Sequence, residues 1–70
     1  MADILNNGTL IRVYATIVND IAFGLYERRN PDTPYVILVD GQIIMAVDYL
    51  GNANRLYNQT IRHYAYQNIR

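Results

Sequence analysis

Hydrophobic and polar positions divide the chain at three breaker clusters, Asn6-Asn7-Gly8, Asn30-Pro31-Asp32-Thr33-Pro34 and Asp40-Gly41. The part around the last cluster is the most legible. Tyr35-Val36-Ile37-Leu38-Val39 and Gln42-Ile43-Ile44-Met45-Ala46-Val47 are apolar runs rich in β-branched residues, joined by Asp40-Gly41. Asp-Gly suits the two positive-φ positions of a tight turn, so residues 35–47 are predicted to form a β-hairpin. Counting outward from the turn sets Val39 against Gln42, Leu38 against Ile43 and Ile37 against Ile44. Neither run alternates polar with apolar, so both faces of the ribbon are apolar.

Beyond Asp48, which suits an N-cap, Tyr49, Leu50, Ala53, Leu56, Tyr57, Thr60, Ile61, Tyr64 and Ala65 share one side of a helical wheel. This spacing predicts an amphipathic helix over residues 49–66, with its stripe fading at Gln67 and Asn68.

Residues 9–29 carry two conflicting signals. Ile11, Val13, Tyr14, Ile17, Val18, Ile21, Phe23 and Tyr26 are residue types that favour strands. The polar residues Thr9, Arg12, Thr16, Asn19, Asp20 and Glu27, in contrast, fall within an arc of roughly 100° at the helical step and split between both faces at the strand step. Weighing periodicity above propensity predicts a helix over residues 9–29. Arg28 and Arg29 would sit at the negative end of its dipole, and Asn30-Pro31 would stop it. The alternative makes Asn19-Asp20 the turn of a second hairpin, with Arg12 facing Glu27.

The expected fold class is therefore α+β, one domain over residues 1–70 with a helix – β-hairpin – helix order and an N-terminal arm at residues 1–8. The alternative is an antiparallel β-meander with one C-terminal helix. An isolated hairpin is marginal in water, and two helices can cover one of its faces. A second copy in a two-fold homodimer would cover the rest, with Ile11, Tyr14, Val18, Ile37 and Ile44 at the interface.

Composition strengthens the case for association. A 70-residue core is small, and such domains usually need a staple. There is no cysteine for a disulfide or thiolate site, and one histidine with scattered carboxylates does not make a metal site, so no cofactor is expected. The remaining staple is a partner subunit. The formal net charge of zero argues against nucleic acid as the main partner. All six basic residues are arginine, which favours fixed planar contacts. The N-terminus has no basic and apolar signal regions, and no run reaches the ~18 apolar residues of a membrane helix, so a cytoplasmic protein with no membrane contact is expected.

No catalytic signature is present. There is no phosphate loop, serine or cysteine, and Thr9 lacks the N-terminal amine that activates threonine nucleophiles. His63 has no carboxylate three or four residues away to orient it, and reads as a surface residue. Asn58-Gln59-Thr60 fits the glycosylation triplet but falls within the predicted helix. Arg55, Gln59, Arg62 and Tyr66 line the helical face opposite the apolar stripe, and arginine and tyrosine are enriched in binding hot spots. The sequence thus points to a non-enzymatic protein that binds itself and another protein, as a regulator or inhibitor of viral or mobile-element type. Rival readings are nucleic-acid binding through Arg55, Arg62, Arg70 and Tyr66, a self-assembling structural subunit, and a small-ligand sponge.

Overall fold

The computed structural model describes residues 10–66. Four strands, β1 (Ile11–Val18), β2 (Ile21–Glu27), β3 (Tyr35–Val39) and β4 (Gln42–Val47), are followed by helix α1 (Leu50–Ile61) and a π-helical continuation (Arg62–Tyr66). The strands form one antiparallel sheet in chain order, a meander, with α1 packed against β2, β3 and β4. The fold is α+β, as expected, but its layout is the meander with a C-terminal helix.

The helix predicted over 9–29 is corrected to a β-hairpin. Of the six polar residues that produced the helical arc, Asn19 and Asp20 form the turn and report on neither face, while Glu27 ends β2. Thr9, with the arm at 1–8 and Gln67, Asn68 and Arg70, lies outside the described residues. Only Arg12 and Thr16 remain inside β1, too few to define a period. Packing then favours strands, because β2 gives the 35–47 hairpin a neighbour that two separate helices could not. Asn19 (φ 52°) and Asp20 (φ 67°) take the positive-φ pair of a tight hairpin turn, as do Asp40 (φ 50°) and Gly41 (φ 86°).

Each edge strand carries a bulge. In β1 the register runs from Val18↔Ile21 to Tyr14↔Leu25, then slips at Val13, so Arg12 meets Tyr26 and Ile11 meets Glu27. The slip replaces the Arg12–Glu27 pairing of the hairpin alternative. In β4, Val39↔Gln42 and Leu38↔Ile43 follow the count from the turn, but Ile37 meets Met45 rather than Ile44. A bulge sets two residues against one, which turns Val13 with Tyr14, and Ile44 with Met45, toward α1.

Phe23, Leu25, Ile37, Val39 and Val47 from the sheet pack with Ala53, Tyr57 and Ala65 from the helical segment in a single core. Leu25 and Ile37 are fully buried at its centre. Asp48 does not cap the helix as expected. The N-cap position is Tyr49, without a side-chain capping bond, and Asp48 Oδ1 accepts instead from Asn52 Nδ2 at 3.2 Å. The helix end is held from the sheet, where Asn19 Nδ2 donates to the Ala65 carbonyl at 2.9 Å.

Candidate interaction surface

A four-stranded sheet is about 15–20 Å wide and a helix with its side chains about 10 Å, so one helix covers the middle of one face. The molecule's shortest principal extent is 15 Å, which fits one sheet layer and one helix layer. Three concave surfaces stand out among the described residues. One is a groove of about 520 Å³ between α1 and β4, one a groove of about 560 Å³ between α1 and β1, and one a hollow of about 390 Å³ on the sheet face away from α1.

That uncovered face follows from the register. Arg12, Ala15 and Ile17 of β1, Ala22, Gly24 and Tyr26 of β2, Val36 and Leu38 of β3, and Ile43 and Ala46 of β4 point away from the α1 side. Val36 and Gly24 are buried, so the exposed part of this face among the described residues is Arg12, Ala15, Ile17, Ala22, Ile43 and Ala46. Among the described strand residues Arg12 and Glu27 are charged, and Arg12 alone falls on this face. Ile17 is 71% exposed and Ile43 51% exposed. Ala15, Ala22 and Gly24 keep the centre flat, and the Tyr26 ring lies directly over Gly24, where a Cβ would overlap it. The hollow is bordered by Ala15, Ile17, Ala22, Tyr26 and Leu38. Exposed apolar patches rimmed by polar residues are one mark of a contact surface.

The residues singled out in the sequence are distributed over different surfaces. Arg55, Gln59, Arg62 and Tyr66 are all exposed on the helical segment, outside the uncovered sheet face. Gln59 and Arg62 line the α1–β4 groove with Ile44, Met45 and Leu56, whereas Arg55 Nη2 donates to Asn52 Oδ1 at 2.8 Å. Tyr66 sits in the π-helical turn, which breaks the α-helical spacing that linked it to Arg62. Of the residues assigned to a dimer interface, Ile11 and Tyr14 are exposed on β1 and Ile44 borders the α1–β4 groove. Val18 packs against the core and Ile37 is sealed inside it, so Ile37 offers no surface. His63 is exposed, in an edge-to-face contact with Tyr64 at 5.3 Å.

The uncovered-face residues Ala15, Ile17, Ala22, Gly24 and Leu38 were not singled out. For Ala15, Ile17, Ala22 and Gly24 the signal was present as small or apolar residues at every second position of β1 and β2, and the helical reading of 9–29 hid it. Leu38, in contrast, lay in the hairpin whose two faces both read as apolar.

In the α1–β1 groove, Tyr14 stacks on Tyr57 with ring centroids 5.9 Å apart. The Tyr57 hydroxyl reaches the Phe23 carbonyl at 3.5 Å, and burial, with a smaller contribution from the nearby Tyr26 phenol, pushes its pKa above the usual tyrosine value. Beside these rings, Asn54 Oδ1 is buried without a hydrogen-bond partner. Arg28, expected at a helix end, instead braces the loop after β2, donating to the Thr33 carbonyl at 3.1 Å and to Thr33 Oγ1 at 2.8 Å.

Among the described residues no group of three His, Cys, Asp or Glu side chains is placed to hold a metal ion, and no helix is long and apolar enough to cross a membrane. No protein-family model matches the chain, and the searches of curated proteins and of solved structures returned no match either.

Proposed function

We propose that this chain is a non-enzymatic binding protein that acts by protein–protein contact and associates with itself. The observation that carries the reading is the apolar patch on the sheet face away from α1, exposed among the described residues at Ala15 and Ala22 and bordered by exposed Ile17 and Ile43. Sheets are stable when both faces are packed or when one is polar, and among the described residues the Ala15, Ile17, Ala22 and Ile43 part of this face is neither packed nor polar. Another polypeptide is the natural cover. The zero net charge and the engagement of Arg55 by Asn52 favour a protein over a polyanion as that partner.

Ala22→Arg and Ile43→Arg test the proposal, because both positions are exposed on this face and tolerate a charge without disturbing the core. Tagged protein expressed in its source cells should co-purify with a stoichiometric partner that either variant loses, while helix-face Arg55→Ala retains it. A partner held equally by both arginine variants would refute the sheet face as the recognition surface.

A further inference from the structure

The geometry points to the outer edge of β1 as the place where a second copy of this chain docks, joining two four-stranded sheets into one antiparallel sheet of eight. The inference rests on the self-association proposed above and names its interface.

Among the described residues β1 pairs with β2 on one side and with nothing on the other. The tight turn at Asn19-Asp20 makes Val18 and Ile21 a hydrogen-bonded pair, so alternation aims the backbone N–H and C=O of Ile17 and Ala15 outward. Exposed edges are normally blunted by lysine, proline or a bulge. β1 has neither lysine nor proline, and no charge after Arg12. Its bulge lies near one end, at Val13, leaving Tyr14 to Val18 as a regular five-residue stretch. The opposite edge differs. The bulge in β4 falls at Ile44, in the middle of a six-residue strand, and cuts it into pieces too short to template a neighbour.

The β1 edge also complements itself. With Ala15 of both copies on a two-fold axis, antiparallel pairing sets Tyr14 opposite the second copy's Thr16, and Thr16 opposite the second copy's Tyr14. Both residues face the helix side, in the groove shared by Asn54 and Tyr57. The second copy's Thr16 hydroxyl would thus enter the groove that holds the unpartnered Asn54 Oδ1. Rotation about the soft terminal torsion of Asn54 would let the amide meet that hydroxyl, removing an unpaired buried polar group in each copy. Alanine at the axis leaves room for the two strands to close. The two uncovered faces would then lie side by side as one continuous surface for a partner protein.

The test uses the full-length chain. Light scattering should report a dimer at high concentration. Amide exchange at Ala15 and Ile17 should slow at least tenfold between dilute and concentrated protein, while Ile43 on the other edge stays unchanged. Ala15→Pro removes one outward N–H without touching the β1–β2 ladder, a place where an edge strand accepts proline. It should give a folded monomer by circular dichroism and scattering. If that variant fails to fold, the wild-type exchange pattern decides. A dimer in which Ala15 and Ile17 exchange at the dilute rate would overturn the edge interface and leave self-association standing. A monomer at every concentration would overturn both.

Discussion

Gly24 and Tyr26 form a small device inside one strand. Glycine in a strand interior ordinarily costs about 0.5–1 kcal/mol relative to alanine, yet here its missing side chain is the bed on which the Tyr26 ring lies. Gly24→Ala should therefore destabilise the wild type by about 1 kcal/mol, because the methyl group lifts the ring from the sheet. In a Tyr26→Ala background the same change should stabilise by about 0.5–1 kcal/mol, since only the backbone term is left. Urea denaturation of the four variants checks the cycle, and an unchanged sign would mean that the ring does not depend on the glycine. Neither residue's role was legible beforehand. A glycine among apolar residues marks a close approach, but the approaching ring belongs to the residue two positions on, and that is a neighbour only in a strand.

At the scale of elements, the two hairpin turns contrast. Asp40-Gly41 was readable because its pair of residue types reaches positive φ almost by composition. Asn19-Asp20 is chemically weaker and stood in a segment whose polar residues mimicked a helical period. It also has a second function, since Asn19 Nδ2 ties the turn to the Ala65 carbonyl at the far end of the helical segment. Asn19→Gly should keep the turn but lose that bond, costing about 1 kcal/mol. Asn19→Ala should lose the bond and add about 1–2 kcal/mol for placing alanine at positive φ. A chemical-denaturation ranking of wild type, glycine, alanine checks both, and alanine matching glycine would contradict the strain at this position. The bulges at Val13 and Ile44 are the other element-scale feature. They shift the pairing of Arg12 and Ile37 by one residue, and no residue type in either strand announces them.

For the whole molecule, a thin two-layer body with one sheet face only partly packed among the described residues has little net stability to spare, because a core of this size yields roughly 3–5 kcal/mol. If copies associate as proposed, the midpoint of thermal unfolding should rise with protein concentration, by roughly 3–6 °C per tenfold increase when the native state is fully dimeric. Calorimetry over two decades of concentration measures this, and a flat midpoint would count against association. The sequence argument for a dimer began from a ribbon that two helices could not cover. The meander changes its terms, since β1 and β2 widen the sheet and α1 closes one face, and the exposed apolar surface moves to the other face and to the β1 edge. The candidate site was legible as a surplus of apolar residues but not as a place. Arg55, Gln59, Arg62 and Tyr66 lie outside the uncovered sheet face, with Gln59 and Arg62 beside the α1–β4 groove.

By itself the sequence determined the β3–β4 hairpin, the C-terminal helix and the lack of any disulfide, because turn chemistry, helical stripes and cysteine count are local properties. Only tertiary structure decided residues 11–27, where the free energy of a strand depends on its neighbours. Phe23 and Leu25 gain a core as strand residues only when β3 lies beside them and α1 above them. That condition joins parts of the chain some thirty residues apart, beyond the reach of any periodicity read along one segment.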